Sequence, residues 1–448
     1  MKKNKMKILI IILIAASSIL LSGCVLRISA ENLYRLPQVS EDYLRLQEQI
    51  NAIINEGAEF SPPISGPNRQ SVQLKDLDGD GINEVMAFFR IPGTGTLKIY
   101  IFEMVDGDYQ VAEIIEGTGT AIESIRYVDM NGDGSMEIIV GWQLGDALKH
   151  MEIYSIVDFH AVLLAWSEYD GITQFDLSGD GHDDIIVLRL PTQDSGAVAQ
   201  IFSLMPDREI VTEQVRLSSG IEAISRVIRG SLLSGVPAIF IESEGRFEDG
   251  NFVTDICAFH NGEFTNISLI GSSGVSEGTV RHRRILSADI NNDGIIKVPI
   301  PRRLRAQSET AYYAMDWYSF NSAGLSRLAL TTYHNPTDEW FMILPLDWRG
   351  RVSVRREDVV TGERTVIFSY IAGEGESFED FLKIYRITGG AREERANLPG
   401  RTRLVAEGAA VFAFEMLAPP NSFNLSFDEA LIKENFRLIF SDWLAGTL

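Results

Sequence analysis

From Val72 onward, apolar and polar positions alternate with a period of two, and the alternation breaks at short acidic loops. Val72 and Leu74 lead into the first such loop, the apolar run Val85-Met86-Ala87-Phe88-Phe89 leaves it, and residues 97–102 and 109–115 flank an Asp106-Gly107 turn. Strand, loop, strand, strand, turn, strand makes one four-stranded antiparallel unit. A second unit places residues 125–128 before its loop, 138–140 after it and 151–155 next, and a third continues with 185–188. Later strands are predicted at 311–320, 325–332, 340–344, 365–371, 381–387 and 409–416. Helical spacing occurs at the two ends. Tyr43, Leu46, Ile50, Ile53 and Ile54 line one face of a helix over 40–55, stopped by Gly57 and Pro62-Pro63. Near the carboxyl terminus, Ser426 and Glu429 fit a capping box before an amphipathic run through Leu431, Phe436, Ile439, Phe440 and Trp443.

The interrupting loops are copies of one pattern. They begin at Asp76, Asp129, Asp176 and Asp289, and each carries glycine at its sixth position: Gly81, Gly134, Gly181 and Gly294. The first three starts lie 53 and 47 residues apart, whereas 113 residues separate the third from the fourth. A worn unit is therefore expected between them, with its loop at 229–235 and a strand at 236–241. An internal repeat of this period dictates a repetitive architecture. It also suits the length, since single cores usually stop growing near ~250–300 residues.

Alternating oxygens in a tight loop suit a hard divalent cation, which takes six to eight oxygen ligands. Positions 1, 3 and 5 supply side chains, position 7 a backbone carbonyl and position 9 a further carboxylate. The first loop offers Asp76, Asp78, Asp80, the Ile82 carbonyl and Glu84. The second offers Asp129, Asn131, Asp133, the Ser135 carbonyl and Glu137, and the third Asp176, Ser178, Asp180, the His182 carbonyl and Asp184. The fourth keeps Asp289, Asn291 and Asp293 but has Lys297 at position 9, and is expected to be empty. A helix-loop-helix calcium hand needs an acid at position 12. That position is Ala87, Val140 or Val187, inside apolar β-type runs, which excludes it.

The pattern resembles the FG-GAP/VCBS repeats, including the calcium loops of integrin α-subunit propellers. The resemblance implies an all-β fold: a β-propeller of about six to seven four-stranded blades, here with short terminal helices, and structural Ca2+ at three sites. The propeller would span 67–416, preceded by a helix and linker over 40–66 and followed by a helical tail over 417–448.

The amino terminus changes the compartment. Lys2, Lys3, Lys5 and Lys7 precede an apolar run over 8–21 that ends in Leu21-Ser22-Gly23-Cys24. The run is short for a membrane span and ends in small residues, as cleaved export signals do. Leu-Ser-Gly-Cys resembles a bacterial lipobox, which implies cleavage after residue 23, diacylglyceryl modification of Cys24 and a tether over 24–39. The lipid would hold the protein on the extracytoplasmic face of a bacterial cell membrane. Cys257 then has no partner in the chain, so disulfide bracing is excluded and a small core residue is expected there.

Loss of the four leader lysines takes the formal charge from −22 to −26. Such a surface repels nucleic-acid phosphates, so no nucleic-acid partner is expected. Two basic runs stand out, Arg281-His282-Arg283-Arg284 and Arg302-Arg303-Leu304-Arg305, and both read as solvated loops or strand edges. No His-Glu-x-x-His helix or Gly-x-Ser-x-Gly elbow is present. Trp142 reads as packing between blades. The expectation is a non-enzymatic binding or scaffold module for a protein or glycan. The alternatives are a carbohydrate-active hydrolase or lyase, or an envelope assembly or sensing component.

Overall fold

The computed structural model describes residues 41–439 apart from 118, 146–147, 158–159, 270, 306–308, 373–376 and 419–422. The export segment, Cys24, the tether and Trp443 lie outside the described residues.

Among the described residues, six antiparallel sheets follow one another in chain order. Sheet one holds Glu59–Phe60, Val72–Lys75, Glu84–Arg90, Leu97–Val105 and Asp108–Gly117. Sheet two holds Ala121–Val128, Glu137–Gln143, Lys149–Val157 and His160–Glu168. Sheet three holds Gly171–Phe175, Asp184–Arg189, Val198–Leu204 and Ile210–Arg216. Sheet four holds Ile221–Ser231, Pro237–Phe247, Gly250–His260 and Glu263–Asn266. Sheet five runs Val298–Arg303, Tyr313–Phe320, Ser326–Asn335 and Trp340–Leu344, and sheet six Val352–Glu357, Glu363–Ala372, Ser377–Thr388, Arg401–Glu407 and Ala410–Met416. These are the blades of an all-β propeller, six in number.

The strand that leaves each of the first three acidic loops is buried on both faces, which is why it reads as a continuous apolar run. Met86 and Phe88 pack with Ile138 and Val140 of sheet two, and Ile139 and Ile153 pack with Ile185 and Val187 of sheet three. Ile186 and Leu188 meet Ile239 and Ile241 of sheet four. Ala238 and Phe240 meet Val298 and Phe320 of sheet five, and Trp340 and Met342 meet Val366 and Phe368 of sheet six. Consecutive blades thus share one core after another. The other face of sheet one, Val85, Ala87 and Phe89, is covered by Leu46 and Ile50 of helix α1, Glu41–Asn55. On sheet six, Tyr385, Ile387, Val411 and Ala413 pack on Ala396 of helix α2, Arg392–Ala396.

The expected worn unit is sheet four, where a 3-10 turn at Leu233–Gly235 replaces the acidic loop. Trp142 is fully buried in the core between blades one and two, its indole N–H donating to Glu152. Cys257 is buried in the core between blades three and four.

The tail departs from expectation. Helix α3 covers only Glu429–Asn435 and is capped by Asp428, whose carboxylate accepts from the Leu431 amide, rather than by Ser426. Ser426 instead donates its amide to Asp347 and accepts from the Trp348 indole. Phe436–Leu438 then turns extended and adds a fifth strand to sheet five beside Trp340–Leu344. The edge of that strand offers backbone groups that an extended segment satisfies and a helix does not. The propeller therefore extends past residue 416 into the tail.

Candidate metal centre

All three complete loops sit between the first and second long strands of their blades, and the same hydrogen bonds fold each one. Asp76 accepts from the Gly79 and Gly81 amides at 2.8 and 3.0 Å, Asp129 from Gly132 and Gly134 at 2.7 and 3.1 Å, and Asp176 from Gly179 and Gly181 at 2.7 and 3.0 Å. Asp80, Asp133 and Asp180 each accept from the amide two residues on, those of Ile82, Ser135 and His182. Gly81, Gly134 and Gly181 have φ of 87°, 89° and 98°, a backbone region costly for other residues.

The position-9 acids are the buried members. Glu84, Glu137 and Asp184 are 4%, 1% and 3% exposed. Each reaches back to the amide of the loop's second residue: Leu77 at 2.7 Å, Met130 at 3.1 Å and Leu177 at 2.9 Å. Burial pushes Glu84 up to about 7, against the pull of the Leu77 amide, with repulsion from Asp78 and Asp80 adding to the rise. Burial likewise raises Glu137 to about 6 and lifts Asp184. Concentrated negative charge with too few positive partners is the electrostatic signature of a cation site.

The loops differ in how fully they meet that description. Carboxylate oxygens of Asp76, Asp78 and Glu84 lie within 4.8 Å of one another, the one such group of three acids among the described residues. In the second loop the Arg208 guanidinium, from the last turn of sheet three, holds Asp133 at 2.9 Å. In the third, Ser178 stands at position 3 and its amide, like that of Leu177, is bound by Asp184. The first three loops also touch. A Cβ on Gly79 would meet the Gly134 carbonyl oxygen at 2.7 Å, and one on Gly132 would meet the His182 ring at 2.1 Å. These contacts join the three loops into one strip.

The fourth loop has a related turn, with Asp289 accepting from the Gly294 amide as in the other loops and from the Asp293 amide in place of the amide at position 4. Its position-9 side chain, Lys297, is 1% exposed, and the ammonium lies 2.5 Å from Asp293, 2.9 Å from the Ile295 carbonyl and 3.5 Å from Asp289. Those are the position-5, position-7 and position-1 oxygens. A tethered cation occupies the centre of this loop.

Residues that sequence reasoning missed are the outside supports. Ser155 donates to Glu137 and Ser203 to Asp184, each from the strand that follows and pairs with the acid's own, where no loop pattern flags them. The basic runs also divide. Arg281 is fully buried, bound to Glu242 at 3.0 Å, and Arg302 pairs with Asp316 at 2.9 Å, so these two are structural rather than solvated.

Residues 56–140, which hold the first two loops, match the family model of the FG-GAP-like repeat. No curated protein matches the chain. Among solved structures, the chain is similar to exotype rhamnogalacturonan lyase YesX at 12% identity and a TM-score of 0.32, covering 73% of this chain and 56% of that one. It is also similar to rhamnogalacturonan lyase YesW, at 12% identity and a TM-score of 0.30, covering 82% and 64%. A protein from Lactobacillus plantarum shows 9% identity and a TM-score of 0.26, covering 71% and 85%. The chain spans less than two thirds of the length of the two lyases, and likeness at these scores carries nothing about its chemistry.

Proposed function

We propose that this protein is a lipid-anchored, extracytoplasmic binding module whose propeller is braced by calcium in its first three loops and presents its surface to a protein or glycan. The observation that carries the calcium reading is the convergence of Asp76, Asp78 and Glu84 oxygens within 4.8 Å in a loop wired identically to its two neighbours. Asp76, Asp78, Asp80 and Glu84 would hold the ion in loop one, with equivalents in loops two and three. Bound calcium would supply a cross-link between the two strands flanking each loop. Affinities of about 10⁻⁴ to 10⁻³ M suffice outside a cell. The anchor reading rests on Cys24 and its preceding residues. No helix of the described residues is long and apolar enough to cross a membrane, and acyl chains on Cys24 would serve in its place.

The test is a calorimetric calcium titration of the chelator-stripped full chain, with thermal melts alongside. Saturable binding and a higher Tm in calcium are expected, both lost in the Asp76→Ala/Asp129→Ala/Asp176→Ala variant. Wild-type protein that neither binds calcium nor gains Tm overturns the reading. For the anchor, Cys24→Ser should move the protein from the membrane to the soluble fraction.

A further inference from the structure

A cavity of about 440 Å³ opens between blades five and six. The strand register puts it at the far end of blade five from loop four. Val298, just after that loop, pairs with Tyr318, whereas Arg303 pairs with Tyr313 and Tyr333 with Ala314 at the opposite end. Its wall carries Arg283, Arg284 and Arg356 with His282, Tyr313 and Tyr333, and no carboxylate lines it among the described residues. In a chain with a formal charge of −22, three arginines around one acid-free cavity run against the composition.

Of the three arginines, Arg283 is held by a ring rather than by a counter-ion. The Arg283 guanidinium lies 4.3 Å from the centre of the Tyr313 ring, and none of the ion pairs among the described residues uses it. Stacking on a ring fixes the plane of a guanidinium and leaves its N–H edge to donate. His282 packs edge-on against the same ring, with centroids 4.9 Å apart. Arg284 meets Glu244 only at 3.7 Å, an exposed and loose pair. Arg356 binds Asp358 at 2.9 Å and lies 3.9 Å from the buried Asp338, while its amide donates to the Tyr312 hydroxyl. The floor is neutral, since burial pushes His334 down to about 3, and the ring stacks on Phe341 at 5.1 Å. Positive charge thus stands at the rim of a cavity of small-ligand size.

We propose that this cavity is an anion-recognition site that binds a small ligand bearing a carboxylate or a phosphate, with Arg283 and Arg356 as its principal donors. The proposal rests on the binding-module reading and names a ligand class for it, but it does not depend on calcium. The shared chemistry is a planar or tetrahedral oxyanion gripped by guanidinium forks.

The experiment is calorimetry on the full chain at about 20 mM salt, where surface charges are weakly screened. Sodium glucuronate and sodium phosphate are titrated separately, with chelator present throughout so that bound calcium cannot bridge an anion to the acidic loops. Saturable binding of either anion is expected, weakened about tenfold or more in Arg283→Gln/Arg356→Gln. Arg327→Gln/Arg403→Gln, an equal charge change elsewhere on blades five and six, should bind as wild type does. Preference between the two anions identifies a sugar acid or a phosphate as the source. Arg283→Lys should bind more weakly than wild type because an ammonium lacks the stacked fork, and an unchanged Tm shows that the variants are folded. The proposal is overturned if neither anion binds, or if the double variant binds as tightly as wild type. Failure of the calcium reading would leave both results unaffected.

Discussion

Arg281 shows how one residue in a charged run can take a role opposite to its neighbours. It is fully buried, and its guanidinium donates to Glu242, the Thr254 hydroxyl and the carbonyls of Thr279 and Ile285, while lying 4.7 Å from the Phe252 ring centre. Burial pulls its pKa down to about 10, the Glu242 carboxylate resisting, so the group stays charged at neutral pH. Glu242 is also fully buried and accepts the Ser287 amide at 2.6 Å. Removing its charge would leave Arg281 uncompensated, so Glu242→Gln should destabilise the protein by about 3–5 kcal/mol in denaturant unfolding. A loss under about 1 kcal/mol would show that solvent reaches the pair after all. In the sequence Arg281 is indistinguishable from Arg283 and Arg284, because burial comes from a lone bridge to Phe252 that no local pattern announces.

At the scale of elements, the acidic loop is a unit that keeps its turn when its ligands change. Loop four retains the Asp289 and Asp293 bonds to its amides, yet an ammonium fills its centre. Lys297→Glu would restore the position-9 carboxylate of the other three loops. The expected outcome is one further calcium-dependent increment in Tm relative to wild type, and a protein less stable than wild type in chelator. Lys297→Met should lose the ammonium without gaining any calcium response. Equal calcium response in the glutamate and methionine variants would refute the idea that the lysine stands in for the ion.

Strand legibility followed burial. Trp340–Leu344 is legible to the residue, and so is the apolar run that leaves each of the first three loops, because two packed faces make an unbroken apolar run. Val352–Glu357 and Arg401–Glu407 escaped because they are edge strands of sheet six with half-polar sequences. Val298–Arg303 escaped because Pro299 and Pro301 argue against a strand. The structure tolerates them because this strand pairs on one side only, with Tyr313–Phe320.

For the whole molecule, the carboxyl-terminal segment decides how blades five and six hold together. Leu425, Ile432 and Phe436 belong to the largest core cluster, with Trp340, Phe368 and Phe412, and the Phe436 ring lies 5.4 Å from that of Trp340. Phe436→Ala should cost about 3–5 kcal/mol, read as a lowered denaturation midpoint. A midpoint shift matching that of an exposed-site substitution such as Leu398→Ala would show that the tail merely rests on the propeller. The amphipathic run was visible in the sequence. Its conversion from helix to strand after Asn435 was not, because an open sheet edge is a property of the assembled blade.

The sequence by itself determined the repeat, the loop pattern and the four-stranded unit, since each depends on spacing within about ten residues and on the turn chemistry of glycine and aspartate. The six-blade count, the contact between neighbouring loops, the ammonium inside loop four and the acid-free cavity at the opposite end were decided only by tertiary structure. Each brings together residues from different blades, or fixes the direction of a long side chain. Such placement follows from packing, which local periodicity does not encode.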